Sequence, residues 1–335
     1  MSDVYANNLR RDAKESERLD EQFDLLTEYV CVPSVHTGIS VTVPGPYRTG
    51  RDEQKKFSSK HANHRPSSIR NIGYLVHPLI LDRLPLDHPV VIADLATGTA
   101  RFLQRISQSG NPRLKSAILH GSDLSPALFP PPNTLPSNIH LSVLDVRAPV
   151  PAALQGTYDF VHVRQIAAGL TPDDWVPAMA NLATLLKPGG AMQWEECNFT
   201  NVVHLRGGDV SVTSVDAART LGKMFKNGLM HYFRHGWDRL EEGMKTAGLV
   251  EVGSEILSSD REPATREALT RNGMQAILGW ATANAKSGQL RGDKGQQVTI
   301  AEIEELGEQA YRDIQSGCYV RFDIHVAWGF RPHAG

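Results

Sequence analysis

Chemistry is concentrated first in the string Asp94-Leu95-Ala96-Thr97-Gly98-Thr99-Ala100. A carboxylate is followed at once by small residues, which let backbone come close to a ligand. The run before it, Val90 to Ala96, is short and rich in β-branched residues, and Arg101-Phe102-Leu103-Gln104-Arg105-Ile106 after it carries a helical pattern. Strand, tight turn and helix therefore place Asp94 at the carboxyl end of a strand, where open α/β sheets bind ligands. A dinucleotide pyrophosphate calls for G-x-G-x-x-G, and this window offers one glycine, Gly98. The acid two places before the small-residue turn suits a ligand that carries a cationic amino group and no phosphate.

The elements that must position this turn repeat along the chain. Residues 117–123, 138–145, 158–165 and 190–197 read as further strands, each followed by Pro, Gly or Ser. That spacing predicts a parallel sheet with crossover helices. Thr171-Pro172-Asp173-Asp174 has the form of a helix start, and Lys187-Pro188-Gly189-Gly190 that of its stop. Residues 209–230, 237–247, 264–285 and 299–315 read as helices, the last opened by a Thr299/Glu302 capping box. Residues 248–257 and 318–330 read as two closing strands, expected as an antiparallel edge hairpin. At the other end, residues 4–30 alternate apolar and charged positions at helical steps. Residues 33–70 break that pattern: Arg48, Arg51, Lys55, Lys56, Lys60, Arg65 and Arg70 face only Asp52 and Glu53, with too little apolar content for a core. This stretch reads as a mobile basic insertion.

Composition bounds the partners. The 335 residues hold 35 Lys and Arg against 37 Asp and Glu, which removes the basic face that a dedicated nucleic-acid binder needs. Small molecules are the expected partners. Cys31, Cys197 and Cys318 lie far apart without metal-ligand spacing, so a reducing compartment and no metal are expected. The N-terminus lacks an apolar signal core, and no apolar run approaches the roughly 20 residues of a membrane span. A cytoplasmic protein is the expectation, with oligomeric state open and a homodimer one option.

The strings taken together resemble the class I S-adenosylmethionine-dependent methyltransferases, and within them the fungal small-molecule enzymes of secondary metabolism. Asp94 with Ala96, Gly98 and Ala100 matches the first family motif, although Ala100 stands where a glycine is usual. Asp123-Leu124 matches the acid on the ribose hydroxyls, and Asp145-Val146 the pair flanking adenine. Val161-His162-Val163-Arg164-Gln165 and Gln193-Trp194-Glu195-Glu196 match the fourth- and fifth-strand signatures. Glu15 or Glu17 with Arg18-Leu19 and Gln22 matches the family's opening helix. In the family, the chain runs almost directly from that helix to Gly73-Tyr74-Leu75-Val76-His77-Pro78.

The resemblance implies a Rossmann-like sheet of seven strands, mostly parallel with an antiparallel last strand, under a helical substrate cap. It divides the chain into an N-terminal helix (1–32), the insertion (33–71), an S-adenosylmethionine-binding core (72–197), a helical cap (198–247) and two closing strands with a helical excursion (248–335, excursion 262–315). It implies a cofactor site of Asp94, Ala96, Gly98, Asp123, Leu124, Asp145, Val146, Arg164 and Gln165. It further implies O- or N-methylation of a small hydrophobic metabolite by in-line transfer, with Trp194, His204 and Phe233 against the substrate. A base working near neutral pH is expected among His162, His231 and His235. The runner-up readings are a methyltransferase-like cyclase that keeps the cofactor as an electrostatic element, and a non-catalytic regulator of the same fold.

Overall fold

The computed structural model describes residues 11–27, 71–292 and 295–333. The expected basic insertion lies outside the described residues. The described residues form nine strands in chain order: β1 (Val91–Leu95), β2 (Ile118–Asp123), β3 (Ile139–Val143), β4 (Tyr158–Arg164), β5 (Leu186–Cys197), β6 (Val203–Arg206), β7 (Val250–Ser258), β8 (Cys318–Arg321) and β9 (Asp323–Phe330). Seven form one sheet in the order β3-β2-β1-β4-β5-β9-β7. The first five run parallel, and β9 is antiparallel to both of its neighbours. Winding reverses between β1 and β4, which opens a crevice at their carboxyl ends.

Among the described residues, eight helices surround the sheet: α1 (Ala13–Thr27), α2 (Pro78–Leu81), α3 (Arg101–Ser107), α4 (Trp175–Ala183), α5 (Asp216–Phe233), α6 (Leu240–Thr246), α7 (Arg266–Lys286) and α8 (Ile300–Gln315). The central strands are apolar on both faces because both are covered: six of the seven residues of β4 are buried. On one face Phe102, Leu103 and Ile106 of α3 pack with Phe160 of β4 and Leu119 of β2. On the other, Trp175, Met179 and Leu182 of α4 meet Trp194 and Met192 of β5, and this core continues into Leu221 and Leu229 of α5, Trp280 of α7 and Ile314 of α8.

Three local features differ from the sequence reading. Thr171 is not the cap of α4: its N–H and hydroxyl both donate to Asp174 Oδ2, at 2.8 and 2.7 Å, so the four residues form a closed turn and the helix begins at Trp175. Lys187 to Gly190 belong to β5 rather than to a helix stop. The expected strand 318–330 is broken at Phe322, whose N–H donates to Ser259 Oγ at 3.0 Å. Its first half, β8, pairs with β6 in a separate two-stranded ribbon, while its second half, β9, enters the main sheet beside β5 and makes the expected antiparallel edge pair with β7.

Candidate active site

Beyond β1 the chain makes its turn with left-handed backbone at every second residue: φ is +55° at Ala96, +53° at Gly98 and +57° at Ala100. Such a conformation costs an alanine roughly 1–2 kcal/mol, so the surroundings must hold it. Thr97 N donates to Ser122 O at 2.9 Å, Ala100 N to Thr97 O at 2.8 Å, and Gly98 N to Asp123 Oδ2 at 3.0 Å. A Cβ on Gly98 would meet nothing within 4 Å, so this glycine serves backbone conformation and leaves its outer face unobstructed. α1 lies over the turn, with Asp20 accepting from Thr99 Oγ1 at 2.5 Å and Asp24 holding Arg101 and Arg105.

Sheet register then builds a buried row of alternating charge. Asp94 pairs in register with His162, and His162 with Gln193, while Arg164 pairs with Glu195. Asp94 Oδ2 accepts from Thr97 Oγ1 at 2.5 Å, and its Oδ1 lies 2.7 Å from His162 Nδ1. The imidazole is stacked on Phe102, 3.8 Å between centroids, and its Nε2 lies 3.6 Å from Glu195 Oε1. Glu195 also accepts from Gln193 Nε2 at 2.6 Å and lies 3.5 Å from Arg164 Nε. Arg164 donates to Thr27 Oγ1 of α1 at 2.7 Å and sits 4.5 Å over the ring of Phe23. Burial disfavours a charged ring at His162, but the hydrogen bond to Asp94 and the facing Glu195 outweigh it, and the pKa rises. Burial likewise opposes ionisation of Glu195, but Arg164 and His162 prevail and its pKa falls.

Above this row lies a cavity of about 310 Å³. Its wall includes Asp94, Ala96, Gly98, Asp123, Leu124, Asp145, Val146, His162, Arg164 and Gln165. Asp123 accepts from the N–H groups of Gly98 and Ser125 and lies 3.4 Å from Arg11 Nη1. Asp145 is gripped by Arg147 through two contacts of 2.8 Å, which holds its carboxyl below the usual range. Gln165, with φ +50°, donates to Cys197 Sγ at 3.3 Å.

The far wall of the same cavity is aromatic. Phe199 and Phe225 lie 5.2 and 5.7 Å from Phe233, with His204 of β6 and Lys226 of α5 beside them. Burial, helped by Arg219, lowers the His204 pKa to about 4, so this ring is neutral near pH 7.

The structure separates the remaining candidates from this wall. Trp194, expected against the substrate, is fully buried in the core, 5.6 Å from Trp175, because its position on β5 faces α4. His231 is exposed on α5 and His235 is half-buried beyond its end; neither lines the cavity. His162 does line it but is committed to Asp94 and Glu195. Sequence reasoning missed Glu196, Arg11 and Lys226, all on the cavity wall. For Glu196 a signal existed, since two adjacent acids on one strand must face opposite sides. Among the described residues, no group of three or more His, Cys, Asp or Glu could hold a metal ion.

No protein-family model matches the chain. The N-methyltransferase sirN of Leptosphaeria maculans is 30% identical over 267 residues, covering 76% of this chain and 86% of that protein. The N-methyltransferase tcpN of Claviceps purpurea is 30% identical over 214 residues, 62% of this chain and 69% of its own length. The methyltransferase grgD of a Penicillium species is 34% identical over 156 residues, 44% of this chain; the match spans half of grgD.

Proposed function

Because the chain belongs to the class I S-adenosylmethionine-dependent methyltransferases, alongside these fungal enzymes, we propose that it transfers a methyl group to a nitrogen of a small apolar metabolite. The observation that carries this reading is the single cavity running from the turn after β1 to the Phe199, Phe225 and Phe233 wall. Support for nitrogen as the acceptor comes from the likeness to sirN and tcpN, both N-methyltransferases.

The residues fit the cofactor on two observations. The turn offers an unobstructed glycine face, and Arg164 carries a buried Nη2 without a hydrogen-bond partner on the cavity wall. Asp123 would hold the ribose hydroxyls, Asp145 and Val146 the adenine, and Arg164 the carboxylate. When bound, the cofactor supplies a methyl group made electrophilic by its sulfonium. The protein's part is then mostly positioning, which in well-oriented systems accounts for about 7–11 kcal/mol of a barrier. The aromatic wall fixes a flat acceptor and excludes water, while α1 covers the turn. Lys226, whose ammonium donates to Thr200 O at 3.3 Å, places one cation beside the apolar wall for a polar group of the substrate.

The test uses the full chain with S-adenosylmethionine and a panel of apolar N–H compounds: indole, acetanilide and N-methylaniline. Formation of S-adenosylhomocysteine with an equal amount of N-methylated product is expected. Cofactor binding by calorimetry without any methylated product would overturn the reading.

A further inference from the structure

The cavity holds four carboxylates, and three of them are already committed. Asp94 serves Thr97 and His162, Asp123 serves the Gly98 and Ser125 N–H groups beside Arg11, and Asp145 serves Arg147. The fourth is Glu196, only 1% exposed and on the cavity wall. Alternation along β5 turns Glu195 toward His162 and Arg164, and turns Glu196 to the opposite face beside Trp194. Its hydrogen-bond donors there are neutral: Ile166 N and Trp194 Nε1, each 3.0 Å from Oε1, and the Ala167 N–H. The histidines of the site are poor alternatives. His162 is held between Asp94 and Glu195, which raise its pKa against burial, and His204 binds a proton only near pH 4.

We propose that Glu196 is the general base of this chain, its Oε2 taking the proton that the acceptor N–H loses during methyl transfer. The inference rests on the proposed function. The acceptor nitrogen forms a bond to the methyl carbon, the carbon–sulfur bond breaks with its electron pair left on sulfur, and the N–H proton passes to the Glu196 carboxylate. Release of that proton to solvent resets the site. Burial pushes the Glu196 carboxyl up to about 7, against the pull of Trp194 and the Ile166 and Ala167 N–H groups. A base matched to neutral pH is the efficient choice. The other titratable groups are Glu195 on the same strand, with the charged Arg164 of β4 and Lys226 of α5 and the neutral His204 of β6 on the same cavity wall. Glu195 raises the Glu196 value further.

Glu196→Gln keeps an oxygen to accept from Ile166 N and Trp194 Nε1 but cannot take a proton. With the same N–H panel, kcat is expected to fall about 100-fold or more while KM and cofactor affinity by calorimetry stay within about threefold. The wild-type rise of kcat with pH through about 7 is expected to vanish in the variant. Should Glu196→Gln fail to fold, Glu196→Ala with and without added formate supplies the readout, since a small carboxylate restores a missing base but not a missing structural bond. A variant that folds and retains kcat within twofold, or Glu196→Ala without rescue, overturns the assignment of the base alone. Wild-type protein that binds the cofactor and methylates nothing on the panel overturns the proposed function, and this inference with it.

Discussion

His162 shows how a residue's role is decided by its neighbours. It stands at the end of a strand signature, and its type is that of a base at neutral pH. Cross-strand register places it instead between two carboxylates, which raise its pKa, within the row that supports the turn after β1. His162→Leu leaves Asp94 and Glu195 buried without the ring that partners them, and urea unfolding is expected to show a loss of about 3–5 kcal/mol. His204 behaves in the opposite sense. Its folded pKa is depressed to about 4 while the unfolded ring titrates near 6.5, so the unfolded state binds more protons between those values. Stability is therefore lost as pH falls from about 6.5 toward 4, and His204→Gln should flatten that part of a melting-temperature profile. Asp94, Asp123 and Asp145 were legible because each ends a strand run in the sequence. Proton states were not legible, because they depend on which side chains the register brings opposite one another.

Among the elements, the parallel strands and the long helices could be read from periodicity, and α8 opens with the anticipated box. Thr299 Oγ1 accepts from Glu302 N at 3.2 Å, and Glu302 Oε2 accepts from Thr299 N at 2.7 Å. Thr299→Ala is expected to cost about 1 kcal/mol in chemical denaturation. The ribbon of β6 and β8 escaped notice because four residues carry too short a pattern, and the break at Phe322 depends on Ser259, 63 positions away. The α5–α7 contact is another non-local feature. A Cβ at Gly228 would lie 2.2 Å from Trp280 Cζ2, so the two helices are in close approach there. Gly228→Ala gains up to about 1 kcal/mol of helix propensity, yet overpacking typically costs about 1–3 kcal/mol. A net loss of thermal stability is the expected result.

For the whole molecule, ligand occupancy and folding are linked. Both halves of the cavity draw on several elements: α1, the ends of β1, β2 and β4, the β6–β8 ribbon, α5 and α7. S-Adenosylmethionine at a hundred times its Kd should add about 2.7 kcal/mol of stability, a melting shift of roughly 4 °C. Asp123→Ala should abolish that shift in a thermal-unfolding assay, which reads cofactor binding without reference to turnover. The doubly wound core was legible because its motifs lie within single strands and turns. The cavity's far wall was less so, since Phe199, Phe225 and Phe233 meet only through tertiary packing while Trp194 faces away.

β9 carries a consequence for biogenesis. It joins β5 to β7 and is the last strand of the described chain. A polypeptide growing on the ribosome thus exposes one edge of β5 and one of β7 until β9 emerges, and unpaired edges invite pairing with other chains. Loss of residues 318–333 would leave the turn and its carboxylates in place yet yield a divided sheet prone to self-association. Synthesis is therefore most vulnerable in the interval before β9 emerges.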